Sequence, residues 1–103
     1  MIFTPMRFHR LASQDYLKAL RHYARQSERA ADRFILAVDA ALQKILANPL
    51  LCAKYDAHFR WVLLRRFPYV LYFEILVDTT IHILAVAHSN RKPGYWKQRA
   101  NRP

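Results

Sequence analysis

Glycine is almost missing from this chain: one residue, Gly94, among 103. A phosphate-cradling loop or a dinucleotide fingerprint needs several glycines where backbone must approach the ligand closely, so a single one removes most nucleotide-binding folds. Cysteine is as scarce, and Cys52 alone excludes an intrachain disulfide and points to no oxidising compartment. Its expected role is a small core filler. Acidic residues stop at Asp78, while Arg91, Lys92, Lys97, Arg99 and Arg102 all follow it, so the C-terminal segment is the most electropositive part of the chain. Long apolar runs are absent as well. Phe67 to Phe73 and Thr79 to Asn90 are too short or too polar to span a bilayer, and MIFTPMRFHR has no signal-type apolar core. A cytoplasmic protein that does not enter the membrane is expected.

What is present describes one folded domain, 1–103. Apolar residues make up 53% of the chain with only five prolines, a composition that fits neither disorder nor low complexity. Seventeen Lys and Arg against seven Asp and Glu give a net charge of +10, which attracts a polyanion or an acidic protein partner.

Along the chain, MRFHR (6–10) alternates apolar and basic and predicts a short edge strand with Met6 and Phe8 inward. Ser13 offers an N-cap, with Asp15 in the first helical turn. Leu17, Leu20, Tyr23 and Ala24 then recur at helical spacing. Phe34, Val38, Ala41 and Ile45 form a second ridge, flanked by Ile35, Leu42 and Leu46. A break between Gln26 and Arg29, with Ser27 as a second N-cap, makes the pair a helical hairpin. Asn48-Pro49 ends it, and LLCAKYDAH is a connection without period. Three strands follow, broken at Arg65-Arg66 and at Asp78-Thr79-Thr80, with Pro68 at a strand start. Their near-continuous apolar character requires cover on both faces. The hairpin supplies one; the tail around Tyr95-Trp96, a second copy or another protein supplies the other. The expected fold class is α+β, in the order β-α-α-β-β-β, with the hairpin on a small, mainly antiparallel sheet.

Chemistry is sparsely indicated. No His/Cys spacing matches a metal site, and His82 and His88, six strand residues apart, are separated by roughly 20 Å. Glu74 beside His82 or His88 has the makings of a general base, or of a cross-strand ion pair with an arginine. No cofactor is expected. Basic residues interleave with aromatics at Arg60-Trp61, Arg65-Arg66-Phe67 and Arg91 to Trp96; Trp61 and Phe67 suit packing, while Tyr95 and Trp96 suit packing or stacking on a partner.

Phe67-Pro68-Tyr69 with Tyr72, and Ala85-Val86-Ala87-His88 with Arg91, Pro93, Tyr95 and Trp96, resemble the ParE/RelE superfamily of toxins from bacterial type II toxin-antitoxin systems, on the ParE side. The likeness runs from about Phe8 to Arg99, although the glycine usual after the helix-ending Asn-Pro is missing. It implies growth inhibition and plasmid maintenance by a toxin that a cognate antitoxin, with an acidic or amphipathic C-terminal segment, keeps inactive. ParE-like members act on DNA gyrase by protein contact, and no direct sequence-specific DNA binding by this chain is expected. Arg65, Arg66, His88, Arg91, Tyr95, Trp96 and Arg99 are the residues expected to meet the target, and removal of 91–103 is expected to abolish toxicity while sparing antitoxin binding. RelE-like members cut mRNA on the ribosome, and here His88, Arg91 and Tyr95 would lie near the phosphate. That branch usually has arginines where this chain has Ser89 and Tyr69, and lysines where it has only Arg60, so the resemblance implies gyrase before RNA. An inactive member retained for antitoxin binding and autoregulation is the third reading.

Overall fold

The structure, a computed structural model, describes residues 5–101. Its elements in chain order are β1 (Met6–Phe8), α1 (Arg10–Ala24), α2 (Glu28–Ala47), a 3-10 turn (Pro49–Leu51), β2 (Ala53–Lys54), β3 (Arg60–Leu63), β4 (Tyr69–Ile75), β5 (Ile81–His88) and a second 3-10 turn (Lys97–Asn101). The strands form one sheet in the order β1-β5-β4-β3-β2, antiparallel except where β1 runs parallel to β5. The α+β arrangement of hairpin and mainly antiparallel sheet is as expected, with one strand more. That strand, β2, lies inside the supposed connection; two residues are too few to show a period.

The first helix begins a turn earlier than Ser13. His9 is extended at φ −60° and its Nδ1 accepts the Leu11 N–H at 3.1 Å, so an imidazole takes the capping position. Asp15 therefore lies in the second turn, where its carboxylate is free for another task. The buried side of α1 is also rotated from the expected ridge: Ala12 and Ala19 are buried and Tyr16 and Tyr23 pack beside them, while Leu17 is 45% exposed. Small side chains let α1 approach the sheet closely; leucine at those positions would hold it off. The second helix follows its sequence. Ser27 Oγ accepts the Ala30 N–H at 2.9 Å, and Phe34, Val38, Ala41 and Ile45 are all buried. Cys52 packs in the same core at 6% exposure, and burial pushes its thiol pKa up.

One irregularity in β5 decides where its side chains go. Tyr72 pairs with Ala85 but Phe73 pairs with Ile83, which leaves Leu84 as an extra residue, a β-bulge. Before it Ile81 and Ile83 face the helices; after it Val86 does, while Leu84, Ala85 and Ala87 face the opposite core. The alternation is thus shifted by one, and the end of the strand presents the other set of side chains to α1.

The opposite core is closed by the tail. Trp96, 1% exposed, stacks on Tyr72 with ring centroids 4.3 Å apart and meets Tyr55 and Phe59 edge-on at 5.1 and 5.0 Å. Trp96 is therefore a core residue and leaves no surface for a target to touch. Removing 91–103 would strip this face of the sheet, so such a truncation tests folding before it tests toxicity.

Candidate functional site

The shift at the bulge carries His88, the last residue of β5, to the helix side of the sheet. There it pairs with Tyr69, the first residue of β4, with ring centroids 5.2 Å apart. Its Nδ1 accepts the Asn90 N–H at 3.1 Å, which leaves the ring proton on Nε2 when the imidazole is neutral. His88, Tyr69, Arg91 and Tyr95 join Asp15, Lys18, Ala19, His22 and Val86 around an open cavity of about 270 Å³.

Electrostatics at this cavity rest on Asp15. Past Ile83, β1 no longer covers β5, and the exposed strand edge needs partners. Asp15 Oδ2 accepts the Val86 N–H at 3.1 Å and pairs with Arg99 Nη1 at 2.8 Å, while the same Nη1 donates to the Leu84 carbonyl at 2.9 Å. The pair is largely buried, with side-chain exposures of 12% for Arg99 and 20% for Asp15. It satisfies the edge of β5 and fastens the tail to α1. Arg99, expected at the target surface, is thus engaged inside the molecule.

Tyr95 lies beneath two guanidiniums, with Arg91 4.1 Å and Arg99 5.4 Å from its ring centroid. Burial raises its phenol pKa, the Asp15 charge raises it further, and Arg91 and Arg99 offset part of the shift. Burial likewise raises Tyr69. Both phenols are neutral at physiological pH and can donate hydrogen bonds. With Asp15 committed to Arg99 and Val86, the cavity offers imidazoles, neutral phenols, a guanidinium and an ammonium, but no carboxylate free to act as a base. Cations and hydrogen-bond donors predominate in such a set, which suits it to anions, and a base there would have to be an imidazole.

Arg65 and Arg66 are exposed on the β3–β4 turn, where Arg66 adopts φ 67°. The turn adjoins the cavity: the Pro68 carbonyl accepts the Ser89 N–H at 2.8 Å, and Phe67 meets Tyr23 of α1 edge-on at 4.9 Å. Phe67 packs against the helix-side core. Arg60, the one cation left on β3 for phosphate chemistry, is spent on structure, since its Nη1 donates to the carbonyls of Leu50 at 3.1 Å and Cys52 at 2.8 Å.

Glu74 does stand beside His82, paired in register with Oε2 2.8 Å from Nδ1, so its partner is a histidine and not an arginine. Neither touches His88, which the bulge has sent to the other face. His82 lines a cavity of about 460 Å³ with Arg7, His9 and Arg10. Among the described residues no group of three or more His, Cys, Asp or Glu is placed to hold a metal ion, and no helix is long and apolar enough to cross a membrane.

The polar residues missing from the sequence-based set are Asp15, Lys18, His22 and Tyr69. Lys18, Arg21, His22 and Arg25 do fall on one helical face at i, i+3, i+4 and i+7, yet nothing in that spacing says which strand the face adjoins.

The chain matches the family described as ParE toxin of type II toxin-antitoxin system, parDE, over residues 6–93. It belongs to the ParE toxin family. The match takes in both helices, all five strands and the His88 and Arg91 side of the cavity. In structure the chain is similar to one from a solved structure described as the chromosomal ParDE TA system from P. aeruginosa, with a TM-score of 0.69 and 18% identity over 82% of this chain and 95% of that one. At that identity the likeness concerns the ParE fold. No curated protein matches it in sequence.

Proposed function

We propose that the chain is the toxin of a cytoplasmic two-component pair, kept inactive by a cognate antitoxin, and that its target is DNA gyrase, engaged by protein contact. The family match is the basis for the toxin. The observation that carries the choice of target is that groups RNA cleavage would use are held in structure: Asp15 is locked to Arg99, which also serves the Leu84 carbonyl, and Arg60 serves the Leu50 and Cys52 carbonyls. Cleavage of RNA needs a base, an acid and cations held for the developing phosphorane charge. His88, Arg91, Arg65 and Arg66 remain to contact a protein target. An amphipathic antitoxin segment finds apolar purchase in the groove between α1 and α2, where Leu17 and Ile35 are 45% and 37% exposed.

The endonuclease reading keeps one observation in its favour, since His88, Arg91 and Tyr95 share a single cavity. The two readings part in one comparison. Toxin freed of antitoxin is assayed against purified gyrase supercoiling and against ribosome-bound mRNA. Loss of supercoiling with intact mRNA is expected, and mRNA cuts with normal supercoiling would overturn the gyrase target. His88→Ala and Arg91→Ala should each lower potency about tenfold or more, because central contact residues carry most interface energy.

A further inference from the structure

Positive charge is neutralised very unevenly over this molecule. Lys18, Arg21 and Arg25 share one exposed face of α1, Arg65 and Arg66 project from the β3–β4 turn, and Arg91 and Lys92 follow β5. These three groups converge on one end, because Phe67 meets Tyr23, Ser89 bonds to Pro68, and Lys18 and Arg91 line the same cavity. Carboxylates are occupied or elsewhere. Asp15 is held by Arg99, Asp56 by Lys97 and Glu74 by His82, while Glu28, Asp32 and Asp39 belong to α2 and Asp78, in the β4–β5 turn, accepts the Thr80 N–H. Glu28 is the acid that follows Arg25 most closely in the chain, yet the ion pairs among the described residues include none of these cations.

We infer that this end of the molecule binds the sugar–phosphate backbone of duplex DNA. From Lys18 to Arg25 the helix rises about 10 Å, which spans roughly three successive phosphates of one strand at about 3.4 Å of axis each. Unpaired bases would require free ring faces to stack on, and most rings at this end already have ring or guanidinium partners. Tyr95 is covered by Arg91 and Arg99, Tyr69 is enclosed by Tyr23, Phe34 and His88, and His22 packs on Tyr23. Large exposed apolar side chains are few at this end, Leu63 before the β3–β4 turn and Leu17 one turn from Arg21; the others are on α2, in the first 3-10 turn and in the β4–β5 turn, so cations dominate this surface. Binding is to phosphate and carries no sequence information. Such DNA binding draws on Arg65, Arg66 and Arg91, the cations proposed above to meet gyrase, but it needs no gyrase.

The test is fluorescence anisotropy of a labelled 20-base-pair duplex titrated with the full chain between 50 and 200 mM NaCl. Affinity should fall linearly with salt on logarithmic axes with a slope of about −4, as expected when about four or five of these cations meet phosphates at once. Lys18→Glu with Arg21→Glu should weaken binding at least about tenfold and reduce the slope by about 2, as expected for two lost phosphate contacts. Arg33→Glu with Lys44→Glu, exposed on α2 and equal in charge change, should weaken it far less; thermal melts verify that both variants fold. Equal losses from the two pairs would mean that net charge alone binds DNA, and would overturn the assignment. So would stronger competition by a 20-nucleotide single-stranded RNA than by unlabelled duplex. Since no gyrase is present, the supercoiling result and this one fail independently.

Discussion

Asp15 does three things with one carboxylate: it accepts the Val86 amide, pairs with Arg99, and through Arg99 serves the Leu84 carbonyl. Replacement by alanine would leave a largely buried guanidinium and a strand-edge amide without their acceptor. Asp15→Ala should therefore cost about 2–3 kcal/mol in urea unfolding. Asp15→Asn, which keeps the acceptor oxygen and loses the charge, should cost about 1 kcal/mol. Equal losses would show that the charge, and not the acceptor, supplies the stabilisation. At the same scale, His88 owes its place beside Tyr69 to one extra residue in β5, Leu84.

Among the elements, the tail has the largest structural role for its size. It follows a turn at Gly94, where φ is 78° and a β-carbon would come within 3.3 Å of Tyr55 Oη, so both the backbone conformation and the space favour glycine. Trp96 then closes one face of the sheet, and two ion pairs fasten the segment, Lys97 to Asp56 at 2.9 Å and Arg99 to Asp15. Trp96→Ala removes an indole from a closed aromatic cluster and should destabilise the protein by about 3–5 kcal/mol. The same variant should expose the tail to limited proteolysis while α2, buried against the other face, resists. A loss below about 1 kcal/mol would mean that the tail is not part of the core.

For the molecule as a whole, the titrating groups set a pH window. Asp56 is lowered by its hydrogen bonds, Lys97 first, and Asp78 chiefly by the Thr80 amide. Each carboxylate contributes stability that is complete above the unfolded value of about 3.9 and is lost as pH falls through its lower folded value. Lys97 is raised by its bond to Asp56, so its contribution is complete below about 10.4 and is lost as pH rises. Burial raises Tyr16, Tyr23, Tyr69, Tyr72 and Tyr95 with the same sign, from about 10 upward. The urea midpoint should form a plateau between about pH 4 and 10, with acid loss deepened by self-repulsion in a chain already at +10. A midpoint that falls steadily from pH 8 to pH 5 would show that histidine ionisation, and not these groups, governs stability.

Apolar spacing by itself determined the hairpin, the buried ridge of α2, its Ser27 cap, the three-strand meander and the need to cover both faces of the sheet, because these depend on neighbours within a few residues. Residue motifs also carried the family. The tertiary structure alone decided the site. Asp15 is 71 residues from Val86 and 84 from Arg99, and nothing local links them. The bulge that turns His88 toward α1 depends on pairing with β4, since the sequence around Leu84 is uniformly apolar. Trp96 was open to packing or to a partner until the sheet gave it Tyr72 to stack on. Local periodicity fixes which face of an element is apolar; only packing fixes what that face, and the polar one opposite, will meet.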